Sequence, residues 1–248
     1  MPSTERDDAF RRRQARHFAA ADVAHFEWQV AGPGLAPLEA ALLAPVAAAF
    51  APPFLEIGCG EGATFVHVGG RGLRLGVDGF PEKLAFARSR VAGVGFVAGD
   101  AAALPVRTAS VRTVLVRDVL HHVAEPAAVV AEAVRVLAPG GRLFVIEPNG
   151  ANPLVALQAV LVPAEAGVRT SRRESLAALL SAHPLDDVRI EMRQPLPLRR
   201  LVLHYRFGVP RLGSVPIAAR ALATLETALG RLVPERRWSY VCLSALRR

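Results

Sequence analysis

Cysteine, lysine and long apolar runs are all scarce in this chain. Of its 248 residues two are cysteine, Cys59 and Cys242, and one is lysine, Lys83. Two cysteines leave no disulfide framework and no zinc site to expect, and they fit a reducing compartment. No stretch reaches the ~18 apolar residues that a membrane-spanning helix needs. The nearest are broken by Glu39, Pro45, Pro52 and Pro53 or stop at Pro163. The charged stretch from Met1 to Arg16, with Arg11-Arg12-Arg13, contains no apolar core of signal type. A cytoplasmic protein is the expectation. Internal repeats and low-complexity linkers are missing as well.

What is present is core-forming material. The chain is 52% hydrophobic, enough for one large α/β domain or two small ones and too much for disorder. The net charge of +8 is unevenly placed. Residues 1–150 balance, and so do residues 151–194. Residues 195–248 hold ten arginines against Glu226 and Glu235, and that surplus equals the whole net charge. A local basic surface suits an anionic partner such as a lipid headgroup, a nucleic acid or an acidic substrate. The competing reading is a solvated, arginine-rich surface.

The apolar pattern predicts helices over residues 5–30, carrying Phe10, Phe18, Phe26 and Trp28, and over 36–50, interrupted at Pro45. Short apolar runs at 53–57, 73–77, 94–98, 111–117 and 141–147 read as strands. Between them 62–68, 81–91 and 125–138 read as helices, with Pro81 and Pro126 at first-turn positions. This alternation predicts a parallel sheet covered on both faces. Past Pro148, Ser171-Arg172-Arg173-Glu174 reads as a capping box for a helix over 171–182. Val188 to Met192 and Trp238 to Leu246 read as the last strands. Residues 195–237 between them carry helical spacing, including a stripe of Leu222, Leu225, Leu229 and Leu232.

The first strand ends in Glu56 and runs straight into Gly58-Cys59-Gly60-Glu61-Gly62. The second ends in Asp78, twenty residues after Gly58. Glycines let a backbone approach a ligand closely, and an acid at the second position can accept from both ribose hydroxyls. This is the arrangement of a nucleotide-cofactor site. Gly58-x-Gly60-x-x-Ala63 with Asp78 also fits a nicotinamide dinucleotide fingerprint, but no Tyr-x-x-x-Lys pair for hydride chemistry accompanies it.

Four stretches in order go further: Leu55 to Gly62; Gly76-Val77-Asp78 with Pro81 to Arg88; Phe96 to Pro105; and Ser110 to Val123 continuing through Glu132 to Glu147. With them the chain resembles the class I S-adenosylmethionine-dependent methyltransferases. It is most similar to the broad type 11 branch that includes the quinone-biosynthesis C-methyltransferases. The resemblance covers residues 50–148 strongly and the remainder by layout. It implies an α/β, Rossmann-like, doubly wound fold: a mostly parallel seven-stranded sheet with an N-terminal helical cap and a helical insertion before the last strand. The expected layout is a single domain, with the cap over 1–50, a cofactor-binding half over 51–148 and an acceptor-side half over 149–248. The implied cofactor is S-adenosyl-L-methionine. Gly58, Cys59 and Gly60 are expected under its methionine portion, with Glu56 organising that loop. Asp78 is expected on the ribose, Gly79 and Phe80 beside the adenine, Asp100 and Ala101 on the adenine edge, and Arg117 as a backbone contact. At Gly79-Phe80 the chain departs from the small polar helix cap usual in the family.

Methyl transfer needs alignment, exclusion of water and, for some acceptors, a base. His121 and His122 follow the fourth strand and are the candidate catalytic residues; their competing role is packing and capping. Arg117-Asp118-Val119-Leu120 lacks the Asn-Pro-Pro-Tyr pattern used on nucleobase amines, so nucleic acid is not the expected acceptor. Family layout places acceptor contacts at Phe18, Phe26 and Trp28, at Leu154, Val155, Leu157 and Val160, and at the leucine stripe. A hydrophobic small-molecule acceptor suits them. The arginines of 195–237 beside those leucines suit peripheral contact with an anionic membrane. The alternatives are a non-catalytic cofactor-binding partner and an RNA methyltransferase using the basic C-terminal region. Oligomeric state and the O-, C- or N-nature of the transfer are not legible.

Overall fold

The computed structural model describes residues 12–248; Phe10 and Arg11 lie outside them. Residues 12–18 form α1. Helix α2 is Val23–Val30 and α3 is Ala36–Ala48. The expected 5–30 helix is therefore divided. The Asp22 side chain accepts from the His25 backbone N–H and starts a new helix there. Helix α3 runs through Pro45 instead of stopping. Burial of Leu38, Leu42, Leu43 and Val46 offsets the lost backbone bond.

Strands β1 (Phe54–Ile57), β2 (Arg74–Asp78), β3 (Gly95–Ala98), β4 (Val111–Arg117), β5 (Leu137–Pro148), β6 (Leu185–Arg193) and β7 (Tyr240–Arg247) form one sheet in the order β3-β2-β1-β4-β5-β7-β6. The pairs among β1 to β5 are parallel, and β7 runs antiparallel to both β5 and β6. Helices α4 (Thr64–His67), α5 (Pro81–Arg90), α6 (Pro126–Val136), α7 (Pro153–Leu161), α8 (Arg173–Ser181), α9 (Leu198–Val202) and α10 (Pro216–Gly230) complete the chain. The seven-stranded, mostly parallel α/β expectation holds. Strand β5 starts earlier than its apolar run, because Leu137 already pairs with Val111 ahead of the Gly140 turn.

Period-two alternation in the central strands sorts two cores. Leu55, Ile57, Val114, Val116, Leu143 and Val145 meet Val129, Val130 and Ala133 of α6 and Leu176 and Leu180 of α8. Phe54, Leu115, Phe144 and Ile146 point the other way, onto Leu42, Leu43 and Val46 of α3, Phe65 of α4 and Leu84 of α5. Helix α8 starts at Arg173 without the expected Ser171 cap. The Ser171 hydroxyl donates to Pro148 O, and Ser175 Oγ accepts from Arg172 N–H.

One buried ionic group ties the layers together. Glu39 on α3 is fully buried, and its carboxylate pairs with Arg117 at the end of β4 and with Arg200 on α9. Burial acts to raise the Glu39 pKa, but the two guanidinium groups outweigh it and hold the group at about 2. Glu39→Ala leaves Arg200 without its counter-ion and Arg117 with Asp118 alone. We expect a loss of about 3–5 kcal/mol in urea unfolding. A loss below about 1 kcal/mol would show that the pair carries no structural role.

Candidate cofactor and acceptor site

The carboxyl ends of β1, β2 and β4 open onto one cavity of about 890 Å³. At its floor, Gly58, Gly60 and Gly62 have φ of +72°, +50° and +80°, a left-handed run that side chains disfavour. The loop is pinned from below. Gly58 N–H and Cys59 N–H donate to Val77 O, and Gly60 N–H donates to Asp78 Oδ2 at 2.8 Å. Asp78 Oδ1 accepts from Phe80 N–H at 2.9 Å, so one carboxylate fastens both the glycine loop and the turn after β2. It does this while buried, and burial raises its pKa.

The two glycines differ. A Cβ on Gly60 meets nothing within 4 Å, so that position faces open space. A Cβ on Gly58 would sit 2.2 Å from Val119 Cγ2. Gly58 is therefore required by packing against the turn after β4. Glu56 also lines the cavity, almost fully buried, and its Oε2 has no partner among the described residues. Burial is the main reason its pKa rises to about 8.

The remaining sequence-predicted residues gather as follows. Cys59, Gly79, Phe80, Asp100 and Ala101 all line the same cavity. Phe80 is half-buried and lies beside Phe18, ring centroids 6.3 Å apart. Asp100 is exposed and accepts from Ala102 N–H at 2.8 Å. The guanidinium of Arg117, expected to matter through its backbone, is buried in the pair with Glu39 and lies 3.2 Å from Asp118.

The two histidines have opposite environments. Glu147 at the end of β5 accepts from Val119 and Leu120 N–H, both at 2.8 Å, and lies 2.5 Å from His121 Nδ1. Glu165 lies 3.3 Å from His121 Nε2. Burial pulls the His121 pKa down, but the two carboxylates outweigh it and raise it to about 10. Held protonated, His121 donates at both nitrogens and has no free lone pair. His122 is lowered to about 3 by burial and by the charge on His121, and its Nδ1 is buried without a partner among the described residues. Ligand-type atoms of His121, His122 and Glu165 come within 4.8 Å of one another.

Asp118 is a residue that sequence reasoning passed over. It follows β4 at φ +52°, lines the cavity and keeps its side chain about one third exposed. Burial and the nearby Glu147 charge raise its pKa to about 6 against the opposing pull of Arg117. The one sequence signal was its position directly after a buried strand.

Cap and insertion close the cavity from above. Asp22 Oδ2 accepts from Tyr205 Oη at 3.0 Å and from Arg206, and Trp28 Nε1–H donates to Leu203 O at 2.6 Å. Phe18, Trp28 and Val155 line the cavity as expected. Phe26 is instead in the core, while Leu157 and Val160 are exposed. The leucine stripe is displaced too: Leu225, Leu229 and Leu232 face solvent. The insertion reaches the cavity through His204, Tyr205, Arg206 and Phe207 instead.

A glycine loop fastened by Asp78, beneath a cavity at the carboxyl ends of parallel strands, defines a nucleotide-cofactor-binding α/β domain of the doubly wound class. Residues 55–145 match the methyltransferase domain family. With the fold, this match supports a class I S-adenosylmethionine-dependent methyltransferase domain over that stretch. It is 33% identical over 176 residues to an uncharacterized protein of Mycobacterium tuberculosis, covering 70% of this chain and 57% of that one. It is 43% identical over 60 residues, 24% of each chain, to a ubiquinone/menaquinone biosynthesis C-methyltransferase of Acidiphilium cryptum. The chain spans less than two thirds of the length of these curated relatives. A geranyl diphosphate C-methyltransferase of Streptomyces coelicolor A3(2) superposes with a TM-score of 0.59 at 19% identity, over 86% of this chain and 80% of that one. That likeness speaks for the fold.

The residues present fit S-adenosylmethionine. The unpartnered Glu56 oxygen is a counter-charge for an ammonium group, Gly60 leaves room for the ligand, and Asp78 retains lone pairs for ribose hydroxyls. Asp78→Ala should weaken S-adenosylmethionine binding by about 1–3 kcal/mol in calorimetric titration. Gly58→Ala should lower the unfolding temperature more than Gly60→Ala, because only Gly58 combines left-handed φ with a clash. Equal affinity in wild type and Asp78→Ala would remove the ribose anchor.

Proposed function

We propose that the protein transfers a methyl group from S-adenosylmethionine to a small, largely apolar acceptor at an ionisable O–H or an activated C–H. The carrying observation is that one cavity is lined by the glycine loop, by Phe18, Trp28, Phe80 and Phe207, and by Asp118. The aromatic side chains suit such a molecule, and the charged floor suits the cofactor. The name of one curated relative, a C-methyltransferase, agrees with a carbon acceptor.

When bound, the cofactor supplies an electrophilic methyl on a sulfonium, which leaves as a neutral thioether. The chain's own residues do the rest. Glu56 neutralises positive charge at the floor, and Asp78 fixes the ribose end. The Asp22–Tyr205–Arg206 contacts close the roof and limit water. Asp118 is the general base: its carboxylate takes the acceptor proton as the acceptor's electron pair moves onto the methyl carbon. A group titrating near 6 is ionised at neutral pH and still basic enough to receive a proton. His122, edge-on to Phe18 with ring centroids 4.7 Å apart, shapes the acceptor side of the cavity. His121 holds the turn through Glu147 and does not touch the acceptor.

The test is labelled-methyl transfer to a panel of apolar phenols, quinols and 1,3-dicarbonyl compounds. Asp118→Asn should reduce kcat by about 10²–10⁴-fold while S-adenosylmethionine still binds. The kcat/KM profile should rise through pH 6 as Asp118 ionises, and that limb should vanish in Asp118→Asn. Wild-type turnover in Asp118→Asn would remove the assigned base. Tight cofactor binding with no transfer to any acceptor would favour a non-catalytic binding partner.

A further inference from the structure

Helix α10 turns an unusual pair of faces to solvent. Its inner side is Ala219, Leu222, Ala223, Glu226 and Gly230, with Glu226 and Gly230 buried. Glu226 is spent on Arg199 of α9, so the inner face is anchored by an ion pair. The outer side has two parallel ridges. Ile217, Ala221, Leu225 and Leu229 recur every four residues, and all are exposed, Ile217 by 77%. Arg220, Thr224, Thr227 and Arg231 recur at i, i+4, i+7 and i+11 beside them, equally exposed. An apolar ridge flanked by a basic one, on a helix whose other face is already anchored, is the layout of a helix lying in a membrane interface.

Charge points to the same occupant. Arg199, Arg200 and Arg206 of the insertion pair with Glu226, Glu39 and Asp22. Among the described residues, Arg211, Arg220, Arg231, Arg236 and Arg237 have no carboxylate in ion-pair reach, and all five are exposed. Leu232 is 79% exposed just past the helix. Large apolar side chains standing in water next to unneutralised cations fit a surface that is both apolar and anionic.

We propose that the outer face of α10 docks on an anionic lipid bilayer, with the helix in the plane of the headgroups and the unpaired arginines on lipid phosphates. Phe207, which lines the cavity and is 57% exposed, lies in the segment leading to that face. It gives an apolar acceptor dissolved in the bilayer a route to the site. That delivery role rests on the acceptor reading above; the docking does not.

The experiment is co-sedimentation of the full chain with phosphatidylglycerol vesicles and, separately, phosphatidylcholine vesicles at low salt. It is repeated for Leu225→Asp/Leu229→Asp and Arg220→Ala/Arg231→Ala. Binding to the anionic vesicles is expected, weakened about fivefold per arginine removed and about tenfold or more by the paired aspartates. S-adenosylmethionine titration of each variant should match wild type, which shows an intact fold. No binding to anionic vesicles overturns the proposal. So does binding that the aspartate pair leaves unchanged, which would mark a purely electrostatic surface such as one for RNA. A concentration-dependent dimer dissolved by the aspartate pair, without vesicle binding, would assign the face to a second copy of the chain. Vesicle binding with no cofactor binding would sink the methyl-transfer reading alone.

Discussion

The carboxylate of Glu39, buried and shared by Arg117 and Arg200, is the constraint on which the cavity depends. It joins three segments far apart in the chain: α3 of the cap, the carboxyl end of β4 and α9 of the insertion. Arg117 and Arg200 both line the cavity, and Glu39 holds them from behind it. Desolvating an ion pair costs much of what the pairing returns, so the group is a weak source of net stability and a strong source of positional specificity. Any arrangement that moved α3 or α9 by a turn would strand a charge in the core. Arg200 also lies over the Tyr240 ring at 4.9 Å, so β7 shares the same anchor.

Around that anchor the site concentrates acids. Glu56, Asp78, Asp118 and Glu147 all stand at or just past the carboxyl ends of parallel strands. Of these, Glu147 is answered by His121 and two backbone donors. Burial raises the pKa of Glu56, Asp78 and Asp118, and in each case a neighbouring carboxylate adds to the rise. A cavity in which burial disfavours ionisation of its acids is matched to a ligand that brings positive charge. S-adenosylmethionine carries a sulfonium and an ammonium, so its binding should lower the cost of ionising the same groups that hold it and that act beside it. The floor and the base are coupled through charge as well as through shape.

Much of this was legible in the sequence, and the reasons are local. Strands β1 and β4 are buried almost throughout and read as short apolar runs. Glu56 and Asp78 stood out because an acid ending such a run needs a purpose. The boundary at Asp22 and the continuity of α3 through Pro45 were not legible: a capping side chain and the packing of Leu42, Leu43 and Val46 decided them. Glu39 and Arg117 are 78 residues apart, and nothing in either neighbourhood marks them as a pair. The left-handed backbone at Asp118 is likewise set by what surrounds the turn after β4, not by its own residue type.

The leucine stripe shows where periodicity stops informing. Helical spacing of Leu222, Leu225 and Leu229 predicts that some face of α10 is apolar, but the same spacing serves a face turned in or out. What decides is which residues the inner face can satisfy. Glu226 lies on that side, and a buried carboxylate needs a cation; Arg199 provides it. Gly230 lies there as well, where a Cβ would come within 3.0 Å of Pro195. With the inner surface taken by an ion pair and a close approach, the larger leucines are left outside. The polar residue fixed the rotation of the helix, and the hydrophobic ones followed. In an insertion short of alternative partners, one buried charge outranked several leucines, because leaving it unpaired costs more than leaving them wet.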